Sequence, residues 1–290
     1  MSRLLIIDGH AYAYRAFHAI RDLRGPQGQP TNAIYGFIKM LEKMRLTLAP
    51  NYLRVVWDGG LSAERMAALP GYKAQRPEMP DDLRVQFDEI SSYLEGAGIS
   101  EFCGDGIEAD DYIGCLAQQA ATKVNVVIAS SDKDFMQLVT DRIGLLNPND
   151  KSGAIWGRSE VFAKAGVEPE QIVDWLALMG DTVDNIPGVP GVGPKTAAML
   201  LKQFGSVKEI YSQLSEVKSE KTRLALKNAE ADVLRNLELV RLQAVPLELE
   251  LEQLVVRLAD HEKLRDLFSR WGFNGMLAAL GDRSQQAELI

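Results

Sequence analysis

Nine acids in this chain occupy places from which side chains do chemistry. Leu4 to Ile7 is followed by Asp8, Val55 to Trp57 by Asp58, and the run Val126 to Ser131 by Asp132 and, two residues on, Asp134. Glu108, Asp110 and Asp111 crowd four positions at a helix start, and Asp181 and Asp184 follow an apolar run, three residues apart. One acid after a strand serves as an N-cap or Asx-turn. Three in the same topological place converge on the strand-end edge of an open parallel sheet, where ligands bind.

Acids at a helix N-terminus gain about 0.3 to 1 kcal/mol each from the helix dipole. That gain does not call for three carboxylates in four residues, which repel one another. Bound cations supply the missing counter-charge. All-oxygen ligation favours Mg²⁺ or Mn²⁺ over zinc, and His10, His18 and His261 form no metal-binding spacing. Two hard ions about 3.5 to 4 Å apart activate a water, hold a phosphate and stabilise the leaving oxygen of an in-line displacement. The predicted chemistry is phosphodiester hydrolysis. His10, two residues after Asp8, reads as a structural hydrogen-bonding group.

Positioning these acids requires alternating strands and helices. The apolar runs Leu4 to Ile7, Val55 to Trp57 and Val124 to Ile128 predict buried strands, and Gly144 to Leu146 a fourth before Asn147-Pro148-Asn149. Ile34, Phe37, Ile38, Leu41 and Met44 have helical spacing, as do Ile113, Leu116, Ala117 and Ala120 beside Glu108 and Asp111. The fold class is therefore α/β, a central parallel-type sheet flanked by helices. From about Glu170 the pattern turns helical, so residues 1–169 are expected to form the α/β core and 170–290 a helical region.

A second signal lies in Ile186-Pro187-Gly188-Val189-Pro190-Gly191-Val192-Gly193-Pro194-Lys195-Thr196-Ala197. Pro194 opens an amphipathic helix through Leu200, Leu201 and Phe204 that Gly205 closes. The turn presents backbone amides at a positive helix end beside Lys195, which suits phosphate without base reading. Residues 186–205 resemble the helix-hairpin-helix of sequence-independent DNA-binding proteins. Seven bases against three acids from Lys195 to Lys227 extend the positive surface. Residues 59–88 form a polar insertion of a length typical of lids, with a net charge of −1 and a locally basic stretch at Lys73 and Arg76. Arg15 is a phosphate candidate, whereas Tyr12, Phe17 and Tyr35 read as helix packing.

Composition bounds the reading. With 290 residues, 46% hydrophobic and 25% charged, the chain is globular and large enough to bury a core without disulfides or a structural metal. Cys103 and Cys115 are too few for a disulfide framework and suit a reducing, cytoplasmic setting. The four apolar residues before Asp8 are too short for a signal-peptide core, and no run reaches the length of a membrane span. A net charge of −8 argues against a nucleic-acid partner, yet setting aside the nine clustered acids leaves +1.

Taken in order, Asp8-Gly9-His10 with Tyr14 to Ala19, Trp57-Asp58, Tyr72-Lys73-Ala74-Gln75-Arg76-Pro77, Glu108-Ala109-Asp110-Asp111, Ser131-Asp132-Lys133-Asp134, and Gly180-Asp181 through Ala197 resemble the 5′ nuclease domain of bacterial DNA polymerase I. Leu264 to Phe273 looks like that domain's closing helix. The resemblance implies a PIN-like 5′ nuclease fold and cleavage of 5′ flaps, nicked duplexes and RNA-primed DNA. It places Asp8, Asp58, Glu108 and Asp110 around one ion and Asp110, Asp132, Asp134 and Asp181 around a second, with Asp111 and Asp184 acting through waters. Asp110 and Asp132 become central to catalysis. Residues 59–88 become a helical arch, in which Lys73 and Arg76 steer the scissile phosphate. Arg15, Tyr72, Gly191, Gly193, Lys195 and Thr196 become DNA contacts, with a potassium ion at the hairpin. A DNA polymerase, in trans or as a C-terminal fusion, is the implied partner.

Trp57-Asp58-Gly59 and Thr182-Val183 depart from the family's usual Phe-Asp-Ala and small or serine pair, but both keep the acids. No polymerase follows in this sequence, and Gly281 to Ile290 reads as a polar terminus. Two other readings are a branched-DNA-binding protein without catalysis, which would not need the acids, and a PIN-type ribonuclease, against which the hairpin and the insertion argue.

Overall fold

The computed structural model describes residues 2–150, 152–247 and 250–287. Along the first half run β1 (Arg3–Asp8), α1 (Gly9–Ala19), α2 (Asn32–Leu48), β2 (Tyr52–Trp57), α3 (Ala63–Ala68), α4 (Asp81–Gly96), β3 (Ser100–Cys103), α5 (Ala109–Ala120), β4 (Asn125–Ala129) and β5 (Ile143–Leu146). Then follow β6 (Ile155–Trp156), α6 (Arg158–Ala165), α7 (Ile172–Met179), α8 (Pro194–Phe204), α9 (Val207–Ser212), α10 (Glu220–Asn228), α11 (Glu230–Val240), α12 (His261–Trp271) and α13 (Asn274–Ala287). They fall into two compact units, each discontinuous in sequence: Met1–Asp58, Glu78–Cys103 and Glu248–Ile290 in the first, Gly59–Pro77 and Gly104–Leu247 in the second.

In the first unit β3, β2 and β1 lie side by side, all parallel, with Asp8 opposite Val56 and Trp57 opposite Cys103. Leu4 to Ile7 and Val55 are wholly buried, as strands covered on both faces require. The helical spacing expected from Ile34 to Met44 is realised in α2, whose five named residues are all buried. Asp8 ends β1 and caps α1, its Oδ1 accepting from the Ala11 amide at 3.0 Å. β3 was not expected: Ser100-Glu101-Phe102-Cys103 carries no apolar run, because this strand has β2 on one side and is at best half-buried.

In the second unit β4 pairs parallel with β5 and β5 antiparallel with β6. α5 buries Ile113, Leu116, Ala117 and Ala120, and α8 runs from Pro194 to the Gly205 cap with Leu200, Leu201 and Phe204 buried. Each of these three large side chains contributes roughly 1.5 to 3 kcal/mol by leaving water. The 59–88 insertion holds the six-residue α3, a run of turns and the start of α4, and the boundary between units divides it at Pro77.

The closing helix expected near Leu264 is α12. The polar terminus expected from Gly281 is helical as far as Ala287 within α13, and residues 288–290 of that expectation lie outside the described residues. Both cysteines are free thiols. No described helix is long and apolar enough to cross a membrane.

Candidate active site

In the first unit two of the nine acids end adjacent parallel strands, Asp8 on β1 and Asp58 directly after β2. The Asp58 amide donates to His10 Nδ1 at 3.1 Å, and the His10 ring packs on Trp57 and Phe87, which is the structural role expected of that histidine. Asp58 Oδ1 is buried without a hydrogen-bond partner. A cavity of 1120 Å³ in this unit is mainly apolar, lined by residues such as Ile38, Leu264 and Phe268, and holds none of the nine acids.

The other seven acids belong to the second unit, where basic side chains meet several of them. Glu108, 2% exposed, precedes α5 and is saturated. Its Oε1 accepts from the Ser62 amide at 2.9 Å, and its Oε2 accepts from Tyr72 Oη at 3.1 Å and Lys73 Nζ at 2.5 Å. Asp111 takes both prongs of the Arg65 guanidinium, at 2.7 and 2.8 Å, and the Gln243 amide at 2.8 Å. Arg65 also reaches Glu108 at 3.2 Å and donates to the carbonyl oxygens of Leu239 and Arg241, both at 3.0 Å.

Arg76 Nη2 lies 2.6 Å from Asp184 Oδ1, and Lys133 Nζ 3.1 Å from Asp181 Oδ2. Burial alone would raise the Glu108 pKa, but the charges and hydrogen bonds of Lys73 and Arg65 and the Ser62 amide hold it below the usual glutamate value. Burial opposes the charge of Lys73 too, and Asp110, Glu108 and Asp184 outweigh it, raising the lysine.

Asp132 and Asp134 have the opposite balance. Burial pushes both above the ordinary aspartate range, and the negative charges of Asp181 and Asp184 push them further. The Asp134 amide donates to Asp132 Oδ1 at 2.9 Å, the Asx-turn geometry, while Asp134 Oδ1 is buried without a partner. Asp132, Asp134, Asp181 and Asp184 therefore interact as one acidic group, which Asp110 joins through Lys73 and Arg76. Among the described residues, no three acids, histidines or cysteines stand as a ready-made ion cage. The bonds of Lys73, Arg65, Arg76 and Lys133 give the physical reason, since they engage oxygens of Glu108, Asp111, Asp184 and Asp181.

Backbone geometry fixes the loop that carries Asp181 and Asp184. Gly180 has φ +74, and a Cβ there would lie 2.3 Å from the Gly188 nitrogen; one on Gly188 would lie 2.1 Å from the Met179 carbonyl oxygen. Asp181 and Ile186 exchange backbone hydrogen bonds at 2.9 and 2.7 Å, closing the loop. Beyond it, Gly191 and Gly193 are exposed, and nothing lies within 4 Å of a Cβ placed on either, so another backbone can approach closely. Lys195 is exposed and Thr196 half-buried in the first turn of α8.

Tyr72, expected to touch DNA, is buried with its hydroxyl on Glu108, and Lys73, expected to steer phosphate, is 5% exposed with its amine on the same carboxylate. Arg15 is half-buried on α1 in the first unit. Sequence reasoning missed the role of Arg65, whose partner is 46 positions away. The available signal was its place, with Lys73 and Arg76, in a stretch where only Glu64 opposes them.

Acids at the ends of parallel strands and at a helix start, together with an open glycine-proline turn ahead of an amphipathic helix, define a nucleic-acid-cleaving α/β protein. The family model described as 5'-3' exonuclease, N-terminal resolvase-like domain matches residues 3–166, and the one described as 5'-3' exonuclease, C-terminal SAM fold matches residues 167–262. This chain belongs to the 5'-3' exonuclease family.

A 5'-3' exonuclease of Aquifex aeolicus (strain VF5) is 39% identical over 290 residues, covering 99% of this chain and 98% of that one. DNA polymerase I of Bacillus subtilis (strain 168) is 37% identical over 290 residues, covering 99% of this chain and 33% of that protein, so the chain spans about a third of the polymerase's length. Among solved structures, T5 5'-exonuclease with bound zinc is similar at a TM-score of 0.69 and 27% identity, covering 82% of this chain and 89% of that one. The catalytic core of Rad2 in complex with DNA substrate has a TM-score of 0.67 at 16% identity, over 96% of this chain and 92% of that one, and shares the fold.

Proposed function

We propose that this protein is a structure-specific 5′ nuclease that hydrolyses phosphodiester bonds of 5′ flaps, nicked duplexes and RNA primers in DNA replication and repair, using two Mg²⁺ ions that Mn²⁺ can replace. One observation carries the reading: four mutually repelling acids, buried Asp181 and Asp184 with half-buried Asp132 and Asp134, one oxygen of Asp134 being buried and unpartnered. Such a donor set suits hard divalent cations, and the zinc in the T5 relative supports divalent-ion dependence. When bound, such ions supply an activated water and charge stabilisation at the leaving oxygen.

The chain's own residues divide the remaining work. Asp110, Asp132, Asp134 and Asp181 are proposed as direct ligands, with Glu108 and Asp184 shared with Lys73 and Arg76. Asp8 and Asp58 are proposed as metal-binding carboxylates of the first unit, a role that the unpartnered Asp58 oxygen suits. Asp111, locked to Arg65, orients the start of α5. Lys73 and Arg76 hold and neutralise the scissile phosphate. Arg15, Gly191, Gly193, Lys195 and Thr196 hold the DNA backbone, with a potassium ion at the hairpin. The working partners are branched or RNA-primed DNA and a DNA polymerase, in the cytoplasm.

The test is cleavage of labelled 5′-flap DNA with Mg²⁺, with EDTA, and by Asp110→Asn and Asp132→Asn. Mg²⁺-dependent cutting and a loss of about 100-fold or more in each variant are expected. Cutting in EDTA, or undiminished cutting by both variants, overturns the two-ion reading. DNA binding by the wild-type protein without any cutting would favour the non-catalytic binding protein.

A further inference from the structure

Resting on the metal-dependent reading, we infer that Asn236 is a positioning residue: it fixes the loop bearing Asp181 and Asp184 in the shape that divalent ions require. Asn236 lies on α11, far from the acids in sequence, and is completely buried. Its Nδ2 donates to two carbonyl oxygens, Ala177 at 3.1 Å and Pro187 at 2.6 Å. Ala177 belongs to the last turn of α7, just before the loop, and Pro187 follows the loop directly. One amide group thus ties the chain entering the acidic loop to the chain leaving it, using both hydrogens of a single nitrogen.

The rest of the side chain argues that this tie is needed. Asn236 Oδ1 is buried without a partner. A buried acceptor left unsatisfied costs stability, and an apolar residue of similar volume would avoid that cost. Its neighbours on the same helix, Val233, Leu239 and Val240, are the apolar residues expected against α7. A local departure from that pattern is accounted for by the two carbonyl oxygens it restrains.

Backbone bonds already close the loop on itself, through Asp181 and Ile186, and pin Val189 to the Leu178 carbonyl at 2.8 Å. To this backbone frame Asn236 adds a side-chain tie across the spacing between the last turn of α7 and Pro187. That spacing aims the carboxylates of Asp181 and Asp184, because the tight contact of Gly180 with Gly188 transmits any shift at either end into the loop.

The test titrates Mn²⁺ into DNA-free protein, followed by electron paramagnetic resonance, at a temperature well below each variant's unfolding transition. Asn236→Leu removes the tie with little change in volume. Asn236→Asp keeps the shape but turns acceptors toward the two carbonyl oxygens. Val233→Ala, one turn earlier on α11, lowers stability without touching the tie. Mn²⁺ binding at least tenfold weaker in both Asn236 variants is expected, with Val233→Ala within twofold of wild type.

Asn236→Asp is the sharper arm, since its added negative charge alone would tighten a cation; weaker binding there is a geometric effect. For flap cleavage, the Mg²⁺ concentration that gives half-maximal rate rises in both Asn236 variants and stays at the wild-type value in Val233→Ala. Should Asn236→Leu fail to fold, Asn236→Asp and Val233→Ala decide the matter. Mn²⁺ affinities equal across wild type and all variants overturn the positioning role alone. Absence of Mn²⁺ binding and of cutting by the wild-type protein overturns the metal-dependent reading, and this role with it.

Discussion

At the scale of single residues, the acids include some neutralised by neighbouring bases and others that burial and mutual repulsion raise. Glu108, held below its usual value by Lys73 and Arg65, stabilises the fold at neutral pH and loses that contribution only as pH falls below the ordinary glutamate range. Asp132 and Asp134, raised by burial and by each other's neighbours, behave oppositely. The folded state retains their protons at a pH where the unfolded chain has released them. Stability of the metal-free protein therefore declines as pH rises from the ordinary aspartate range through their raised values. Thermal unfolding in EDTA from pH 5 to pH 8 should show this fall, and Mg²⁺ at a hundred times its dissociation constant should restore about 2.7 kcal/mol at the alkaline end. A flat EDTA profile would mean that the two aspartates titrate normally. Lys73 offers a second residue-level test. Lys73→Ala should lower single-turnover cleavage by about 100-fold, the scale of one lost electrostatic contact in a transition state, with the Kd for flap DNA within threefold. A pure loss of affinity would assign Lys73 to DNA binding instead. The strand-end and helix-start acids were legible because type and topological place coincide. Which ones would be neutralised was not, because Lys73 meets Glu108 across 35 positions and Arg76 meets Asp184 across 108.

Among the elements, the 59–88 insertion departs most from its reading in the sequence. Taken whole its net charge is −1, which conceals two unlike halves. Residues 59–77, in the second unit, carry Arg65, Lys73 and Arg76 against Glu64; residues 78–88, in the first, carry four acids against Arg84. The boundary at Pro77 was invisible because proline and polar residues run through both halves. Each base of the first half meets an acid of its own unit: Arg65 with Asp111, Lys73 with Glu108, Arg76 with Asp184. Arg65→Met would leave Asp111 and Glu108 buried without that guanidinium and should destabilise the protein by about 3 to 5 kcal/mol in chemical denaturation. A change under about 1 kcal/mol would show that α3 contributes little to holding this unit together. Elsewhere legibility followed burial pattern. α7 matches the apolar run from Ile172 to Met179, and α8 its proline and glycine ends. β3 and the two-residue β6 escaped notice because neither buries enough apolar surface to mark the sequence.

For the molecule as a whole, net charge sets the terms on which it meets DNA. At −8 the protein should repel a polyanion, and the eight acids proposed as ligands supply all of that excess, since the remainder is neutral. Exposed lysines from Lys195 to Lys227 form the opposing surface. Divalent ions would then serve binding as well as cutting, by removing repulsion where the phosphate must enter. Ca²⁺ separates the two roles when used with Asp110→Asn, which keeps eight of the nine acids and is expected to suppress cleavage. At 0.15 M salt, where charges beyond about 8 Å are largely screened, the close-range repulsion persists. Flap DNA should bind this variant about tenfold more tightly with Ca²⁺ than with EDTA, a difference of about 1.4 kcal/mol. Lys195→Glu should weaken both values in proportion and leave their ratio intact if the hairpin holds DNA independently of the ions, as proposed. Equal affinities with Ca²⁺ and EDTA would mean that the acidic group does not oppose DNA, and that the positive surface alone decides whether the polyanion is held.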